Sequence, residues 1–212
     1  MNTNRTITWG IFILIIALLI WGMIAAARKN SREELNLKLL GQVSSNDWVV
    51  GNASSTVTII EYSDFQCPAC ATYYPLVKRV VDGNIDKIRF VYRHFPLPQH
   101  QNAMPAAQAS EAAGNQGKFW EMYDMIFSTH DEWENATNTK EVLSNYANSL
   151  GIDIKRYAID VDSKEVKDKI SLQLKDGENA GINATPTFFI NGKKINNPES
   201  YEEFTRLINE SL

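Results

Sequence analysis

The sequence predicts an α/β domain that follows an apolar N-terminal segment. Short β-branched runs and amphipathic helical stripes begin near residue 48, in the order β-α-β, a block of helices and then β-β-α. Residues 7–27 carry no charged side chain and form the apolar segment. The chain has 212 residues, of which 44% are hydrophobic, and this is enough for one domain with a core and an appendage.

The apolar segment at 7–27 is long enough to span a membrane. Its 21 residues would cover a hydrocarbon core of about 30 Å at about 1.5 Å per residue. A cleaved signal peptide is the alternative, with Arg5 as its basic region and Ala25 to Ala27 as small residues for cleavage. Because the apolar run exceeds the usual signal core of about 7–15 residues, we predict a transmembrane anchor after a short tail at 1–6.

The charges around this segment argue against an extracytoplasmic domain. Arg28, Lys29 and Arg32 follow the segment, whereas Arg5 and the α-amino group precede it. The positive-inside rule would therefore place the C-terminal domain in the cytoplasm.

Residues 28–47 are predicted to be a linker. The net charge of −4, without a run of clustered basic residues, argues against a nucleic-acid-binding protein.

The first half of the domain is predicted to be a β-α-β unit. "TVTIIEY" (56–62) is a β-branched run typical of a buried strand, and "KIRFVYRHF" (87–95) is the second strand. Between them, a helix is predicted from Pro68 to about Val81, because proline suits the first turn of a helix. Such a crossover makes the two strands parallel neighbours.

The second half begins with helices and ends with a hairpin and a helix. Residues from about 100 to 180 show helical spacing, and Asp162 is expected to cap the last of these helices. "TFFI", followed by Asn191-Gly192 and a second short run, predicts a β-hairpin. The closing stretch "PESYEEFTRLINESL" predicts an amphipathic helix.

Both cysteines of the chain, Cys67 and Cys70, lie in "CPAC" at the predicted junction of strand and helix. A closed zinc site needs four ligands, and the three histidines show no paired spacing. A structural disulfide closing so small a loop would stabilise the fold little. A reversible dithiol is favoured, because a helix N-terminus stabilises a thiolate at Cys67 and a second thiol one turn further can resolve a mixed disulfide.

Three motifs in order carry a resemblance to a known family: "EYSDFQCPAC", "YRHFPLPQHQNAMPAAQASEAAGNQGKFWEMYDMIF" and "ATPTFFING". The chain from residue 48 to 212 resembles the DsbA-like branch of the thioredoxin superfamily, in particular the BdbD-type thiol–disulfide oxidoreductases tethered to bacterial membranes. The resemblance implies a thioredoxin-like fold with a helical insertion at about 100–180, between the βαβ and ββα halves. A single N-terminal transmembrane helix would precede this domain.

The resemblance also implies roles for individual residues. Cys67 would be the exposed nucleophile and Cys70 the resolving thiol. Pro186 would be a cis-proline facing the cysteines, and Thr185 would offer its backbone to an extended substrate. Glu61 would be a buried acid that moves protons to and from the inner thiol; a solvent-facing strand end is the alternative for this residue.

The two residues between the cysteines, Pro68 and Ala69, are assigned to substrate binding together with Thr185. The most oxidising members of the family carry a histidine between their cysteines, and here Ala69 cannot supply its hydrogen bond or charge. We therefore expect a less oxidising disulfide than in those members. His94 on the second strand is an alternative partner for the thiolate, and a packed histidine is the competing interpretation.

The resemblance implies an extracytoplasmic oxidase that needs no cofactor besides its Cys67–Cys70 disulfide. It would oxidise cysteine-containing secreted or envelope proteins, and a quinone-linked membrane protein of the DsbB or VKOR type would reoxidise it. A single-pass position in the bacterial cytoplasmic membrane is expected, or secretion if the signal is cleaved. A reductase or isomerase of the same fold is the alternative, and a binding or chaperone module with incidental thiols is a third interpretation.

Overall fold

A computed structural model describes residue 9, residues 14–28 and residues 42–212. Residues 14–28 are helical and exposed. In these described ranges, no helix has both the length and the apolar character that crossing a membrane requires. The predicted span at 7–27 lies only partly within them, and the predicted tail at 1–6 lies outside them, so the transmembrane anchor stays a prediction.

A five-stranded mixed sheet forms the centre of the domain, with the strand order β1-β3-β2-β4-β5. The central strands β2 and β3 are parallel, as the β-α-β pattern predicts, and the other neighbouring pairs are antiparallel. The strands are β1 (Trp48–Gly51), β2 (Val57–Ser63), β3 (Ile88–His94), β4 (Thr187–Ile190) and β5 (Lys193–Lys194).

Helix α1 (Pro68–Gly83) connects β2 to β3, and α8 (Tyr201–Asn209) closes the domain and packs against α1. Between β3 and β4 the chain forms the predicted helical insertion. Its helices are α2 (Ala103–Gly114), α3 (Phe119–Ser128), α4 (His130–Trp133), α5 (Thr139–Ser149), α6 (Ile154–Asp160) and α7 (Lys164–Asn179).

Strand β2 is buried along its whole length because helices cover both faces of the sheet. Alternate residues therefore enter two different cores. Ile59 joins the larger core under α1 and the helical insertion, whereas Ile60 joins a smaller core on the other face. This placement accounts for the apolar residues on both faces of the strand "TVTIIEY".

Edge strand β1 was not predicted, because it is short and half-buried. It pairs with β3, and its Trp48 ring stacks on Phe119 of α3 at a centroid distance of 4.7 Å. The indole Nε1 donates to Glu111 Oε1 of α2 at 2.8 Å. A Cβ on Gly114 would lie 2.2 Å from this indole ring, so only glycine fits there.

Residues 42–47, within the predicted linker, are held against the sheet by Arg93 of β3. The Arg93 guanidinium donates to both carboxylate oxygens of Asp47, at 3.0 and 2.7 Å. It also donates to Gln42 O at 2.7 Å and to the Tyr62 hydroxyl at 3.0 Å. Both charged side chains are buried, with 8% and 3% exposed, so their complete hydrogen bonding is what makes the pair tolerable.

The hairpin prediction is confirmed, and one capping prediction is wrong. Asn191 and Gly192 have φ values of 49° and 77°, which suit the tight turn between β4 and β5. Helix α7 is capped by Ser163, whose Oγ accepts the Val166 N–H at 3.2 Å. Asp162 pairs with neighbouring lysines instead, since it lies one residue too early to reach the free amides of the first turn.

Candidate active site

The local chain path places Cys67 at the N-terminus of α1. Strand β2 ends at Ser63, and Cys67 is the N-cap residue with φ −69° and ψ 121°, directly before Pro68. The Cys67 N–H donates to Asp64 O at 3.1 Å, and its carbonyl accepts the Ala71 N–H at 3.0 Å. Proline is suited to this first position because its missing N–H would have no helical partner. Both cysteines are free thiols.

The expected exposure of Cys67 is wrong. Cys67 is 6% exposed and Cys70 is 1% exposed, whereas Pro68 and Ala69 between them are exposed. The reason is the loop before β4, because Cys67 Sγ lies 3.6 Å from Thr185 O and donates to it. Pro68 and Ala69 thus form the accessible part of the motif, next to a thiol that is partly covered.

The two thiols differ in acidity. Hydrogen bonding to Cys70, helped by Thr185 and by the backbone of Ala69 and Cys70, outweighs burial and lowers the pKa of Cys67 to about 5. Burial raises the pKa of Cys70 well above its usual range, and the charges of Cys67 and Glu61 act in the same direction. The structure therefore favours a thiolate at Cys67 and a neutral thiol at Cys70.

The Thr185–Pro186 peptide bond is cis, as the resemblance implies. Neighbouring groups occupy the other carbonyls of this loop: Asn197 Nδ2 donates to Pro186 O at 2.8 Å, and Thr187 Oγ1 donates to Ala184 O at 2.8 Å. Thr185 O is left to face Cys67. The Thr185 hydroxyl is buried without a hydrogen-bond partner among the described residues, and it can donate to Cys67 when that thiol ionises.

Glu61 lies on the inner side of the site. It pairs with Tyr92 of β3 and Phe188 of β4 and is 2% exposed, so the solvent-facing alternative is wrong. Burial raises the pKa of Glu61 to about 7, and the Ser63 hydroxyl acts in the opposite direction. Glu61 Oε2, Ser63 Oγ and Tyr92 OH are buried without partners within the described part of the chain.

Asp64 is a residue of the site that sequence reasoning missed. Its carboxylate is buried, and Oδ1 accepts the Gln66 N–H at 2.8 Å. Oδ2 accepts the Leu97 N–H at 2.8 Å and lies 2.7 Å from His100 Nδ1. Asp64 thereby shapes the turn into α1 and ties it to the loop after β3. An aspartate four residues before the predicted helix start at Pro68 was the available signal, because aspartate often accepts a hydrogen bond from the backbone N–H two residues further on.

His94 is a packed histidine. It is 1% exposed, and its Nε2 lies 3.0 Å from Glu111 Oε1 of α2. Lys169 Nζ of α7 pairs with Glu111 Oε2 at 2.7 Å. Burial opposes ionisation of Glu111, but His94 and Lys169 together lower its pKa below the usual value. His94 therefore belongs to a network that joins the sheet to the helical insertion.

Potential metal ligands come together at one other place among the residues that the structure describes. His130, Asp131 and Glu134 each offer a ligand atom, and these atoms lie within 4.8 Å of one another. The group contains neither cysteine, and Asp131 is fully exposed.

Comparisons with known proteins agree with this fold. A family model described as thioredoxin matches residues 44–210. The crystal structure of α-DsbA1 from Wolbachia pipientis has a TM-score of 0.73 at 23% identity, over 82% of this chain and 94% of that one. Oxidised BdbD from Bacillus subtilis has a TM-score of 0.70 at 22% identity, over 78% of this chain and 92% of that one.

Curated relatives are closer in sequence but much longer. The protein of Mycolicibacterium gilvum named Na(+)/H(+) antiporter NhaA 1 is 37% identical over 172 residues, which make up 78% of this chain and 27% of that relative. The chain therefore spans about a quarter of the length of these relatives.

The fold and the paired thiols define a protein of the thioredoxin superfamily. The chain belongs to the thioredoxin family that the matching model describes, and its fold is similar to that of the DsbA-type structures.

Proposed function

We propose that this chain is a thiol–disulfide oxidoreductase that works as an oxidase and donates a Cys67–Cys70 disulfide to other proteins. The observation that carries the proposal is the placement of the two thiols. Cys67 lies at the start of α1 next to Cys70 and Thr185, which lowers its pKa to about 5, and Cys70 is buried one turn further on, which raises its pKa. A stabilised thiolate favours the reduced form of the pair, so the disulfide form is a stronger oxidant.

The exchange would proceed in two steps. A substrate thiolate attacks Cys67 Sγ of the disulfide, a mixed disulfide forms, and the bond to Cys70 breaks. A second substrate thiolate then attacks the substrate sulfur of the mixed disulfide, and Cys67 leaves as a thiolate. Two electrons pass to the enzyme, which becomes a dithiol, and the substrate gains one disulfide.

Glu61 is proposed to handle the proton of Cys70. When the disulfide opens, Cys70 leaves as a thiolate in a buried place where a charge is unfavourable. Glu61 is equally buried, acts electrostatically on Cys70, and has a pKa raised to about 7, so both of its protonation states are accessible near neutral pH. A carboxyl group of this kind can give a proton and take it back.

Substrate binding is proposed for the accessible surface around the thiols. Pro68 and Ala69 are exposed beside Cys67, and the loop at Thr185 and Pro186 lies against it. An extended peptide lying along this loop would bring its own cysteine to Cys67 Sγ. This mode of recognition uses backbone hydrogen bonds and accepts many sequences.

We also propose an extracytoplasmic domain, tethered through residues 7–27 and reoxidised by a quinone-linked membrane protein of the DsbB or VKOR type. Cysteine-containing secreted or envelope proteins would be its substrates. The curated relatives are named as antiporters, and the attachment of a similar domain to such transporters supports a domain that works beside a membrane.

The reduction potential of the Cys67–Cys70 pair tests the oxidase proposal. The purified full chain is equilibrated with glutathione buffers, and the dithiol fraction is measured by alkylation. Because Ala69 replaces a histidine, we expect a value between about −120 mV, as in DsbA, and about −180 mV, as in protein disulfide isomerase. A value near −270 mV, as in thioredoxin, would overturn the oxidase proposal and favour a reductase.

A reductase or isomerase is the second candidate, and the charges after residue 27 favour it because they point to a cytoplasmic domain. An exposed reporter cysteine at Ser54, in a chain with Cys67→Ser and Cys70→Ser, decides the topology. We expect an impermeant maleimide to label it on intact cells. Protection until the cells are lysed would contradict the extracytoplasmic placement.

A further inference from the structure

Gln66, the residue directly before Cys67, has all of its polar groups engaged. It is 8% exposed. Its N–H donates to Asp64 Oδ1 at 2.8 Å within the turn that leads into α1. Its carbonyl oxygen lies 3.1 Å from His130 Nε2 of α4. Because a carbonyl only accepts, this nitrogen of His130 carries the hydrogen.

Both polar atoms of the Gln66 side-chain amide bond to the helical insertion or to the residue that begins it. Nε2 donates to Glu134 O, directly after α4, at 2.7 Å. Oε1 accepts the N–H of Asn102, directly before α2, at 2.6 Å. Asn102 completes the arrangement, since its Nδ2 donates to Glu134 O at 3.0 Å and to Ala136 O at 3.2 Å.

The balance of these bonds is uneven. Three of the four polar groups of Gln66 are bonded to the insertion or to the residue that begins it, and only the N–H is bonded within its own turn. These bonds are buried or partly buried, where replacement by water is unfavourable. The position of Cys67 in space is therefore fixed by contacts with the insertion as well as by its connection to β2.

We infer that Gln66 is a positioning residue for the redox pair, through which the helical insertion holds Cys67 in place. This inference rests on the proposed thiol–disulfide exchange. In the disulfide form, the bond to Cys70 itself fixes Cys67. In the dithiol form, only non-covalent contacts hold the Cys67 sulfur next to Thr185 and the free amides of α1. Gln66 therefore supports the dithiol form more than the disulfide form.

The substitution Gln66→Met tests the inference, because methionine keeps a similar length and removes both side-chain hydrogen bonds. Gln116→Met is a matched control. Gln116 makes the same kind of pair, donating to Asp153 O at 3.1 Å and accepting the Asp153 N–H at 3.0 Å, but its bonds are exposed and connect the segment after α2 to the residue before α6. Asn102→Ala is a second variant that leaves residue 66 intact and removes the two outer bonds.

Three quantities are measured on the full chain: the equilibrium constant with glutathione, the pKa of Cys67 from thiolate absorbance, and the unfolding midpoint of both redox forms. For Gln66→Met we expect about a tenfold shift of the equilibrium toward the protein disulfide, which corresponds to about 30 mV. The pKa of Cys67 should rise, and the dithiol form should lose more stability than the disulfide form. Asn102→Ala should shift the equilibrium about twofold in the same direction.

An equal loss of stability in both redox forms, with the equilibrium constant and the Cys67 pKa unchanged, would overturn the inference. Gln116→Met is expected to give that purely structural result. The proposed function fails separately, because it requires the unaltered chain to exchange with glutathione at an oxidising potential, whereas the inference concerns only the difference between variants.

Discussion

The site has an outer half around Cys67 and an inner half around Cys70 and Glu61. These two environments shift the pKa of a thiol in opposite directions. In the outer half, Cys67 lies at a helix N-terminus with donors around it, and the pKa of its thiol falls to about 5. In the inner half, Cys70 of α1 and Glu61 of β2 are almost completely buried, and burial raises the pKa of both. Cys67 and Cys70 are only three positions apart, yet the first lies beside the free N–H groups of the helix N-terminus and the second is shielded from water.

The contrast indicates that the proposed roles of the two thiols depend on how deeply each one is buried. A charge that arrives in the outer half is stabilised by dipoles already in place, whereas a charge that arrives in the inner half must be removed by a proton. In the proposed exchange, the outer half would therefore set which thiol is attacked and which leaves, and the inner half would set how fast the second sulfur is released. Substitutions in the two halves should have different signatures.

The largest expected effect separates the two thiols. Cys67→Ser should reduce thiol oxidation to the background rate, because the first mixed disulfide cannot form. Cys70→Ser should leave Cys67 reactive, and with a disulfide-bonded test protein it should accumulate mixed disulfides: the Cys67 thiolate attacks the substrate disulfide, one substrate sulfur leaves as a thiolate, and no inner thiol resolves the product. The measurement is oxidation of a reduced test protein together with electrophoresis under non-reducing conditions. Mixed disulfides that persist in Cys67→Ser would show that the roles are reversed.

The second effect concerns Glu61 and pH. Its folded pKa of about 7 lies above the ordinary 4.5, so the stability that depends on Glu61 is complete below pH 4.5 and is lost as the pH rises through 7. In the oxidised protein, where the cysteines do not titrate, unfolding should become easier between pH 5 and 8, by up to about 3 kcal/mol.

Glu61→Gln should remove this pH dependence in the oxidised protein and slow the release of Cys70 about 100-fold. Denaturant unfolding at several pH values and stopped-flow reduction by a small thiol measure the two effects. Because glutamine has nearly the same shape as glutamate, the packing is retained and the comparison reports on the titration of Glu61. The same slope in both proteins would show that Glu61 does not titrate in the folded state.

The third effect comes from the residue between the thiols. Ala69→His should place a donor beside Cys67, stabilise its thiolate further and make the disulfide more oxidising, by about tenfold in the equilibrium with glutathione or about 30 mV. Pro68 stays unchanged, so the helix start is preserved. A potential that does not move would mean that the outer half already satisfies the thiolate.

The smallest effect concerns the hydroxyl of Thr185. Thr185→Val removes a donor to the Cys67 thiolate, and the pKa of Cys67 should rise by an amount worth about one hydrogen bond, or about fivefold in the acid dissociation constant. Thr187→Val is the matched control, since its hydroxyl, at the start of β4, donates to Ala184 O of the same loop. Equal shifts in both variants would assign the effect to the loop and not to the donor.

Much of the fold follows from the sequence because it rests on local patterns. The β-branched run of β2, proline at the start of α1 and the Asn191-Gly192 turn each specify their structure within a few residues. The helical insertion was predicted at about 100–180, and it extends from α2 at Ala103 to the end of α7 at Asn179.

The features that were missed depend on contacts between distant parts of the chain. Cys67 is covered by Thr185, which lies 118 residues further on, and Gln66 bonds to residues of the insertion that lie 36 to 68 positions away. Strand β1 is stable because Trp48 finds a place on the helical insertion. The burial of Glu61 was foreseen through the resemblance alone, since a glutamate in a strand more often faces water.

The ionic contact between Arg93 and Asp47 also limits how far the domain can move. Residues 42–47 follow the surface of the sheet and are fixed there. If the chain is tethered through its N-terminal segment, residues 42–47 do not add to the length of the flexible linker. Its maximum reach is shorter by about 20 Å, at about 3.3–3.6 Å per extended residue. The volume that Cys67 can search for partners beside a membrane would shrink accordingly.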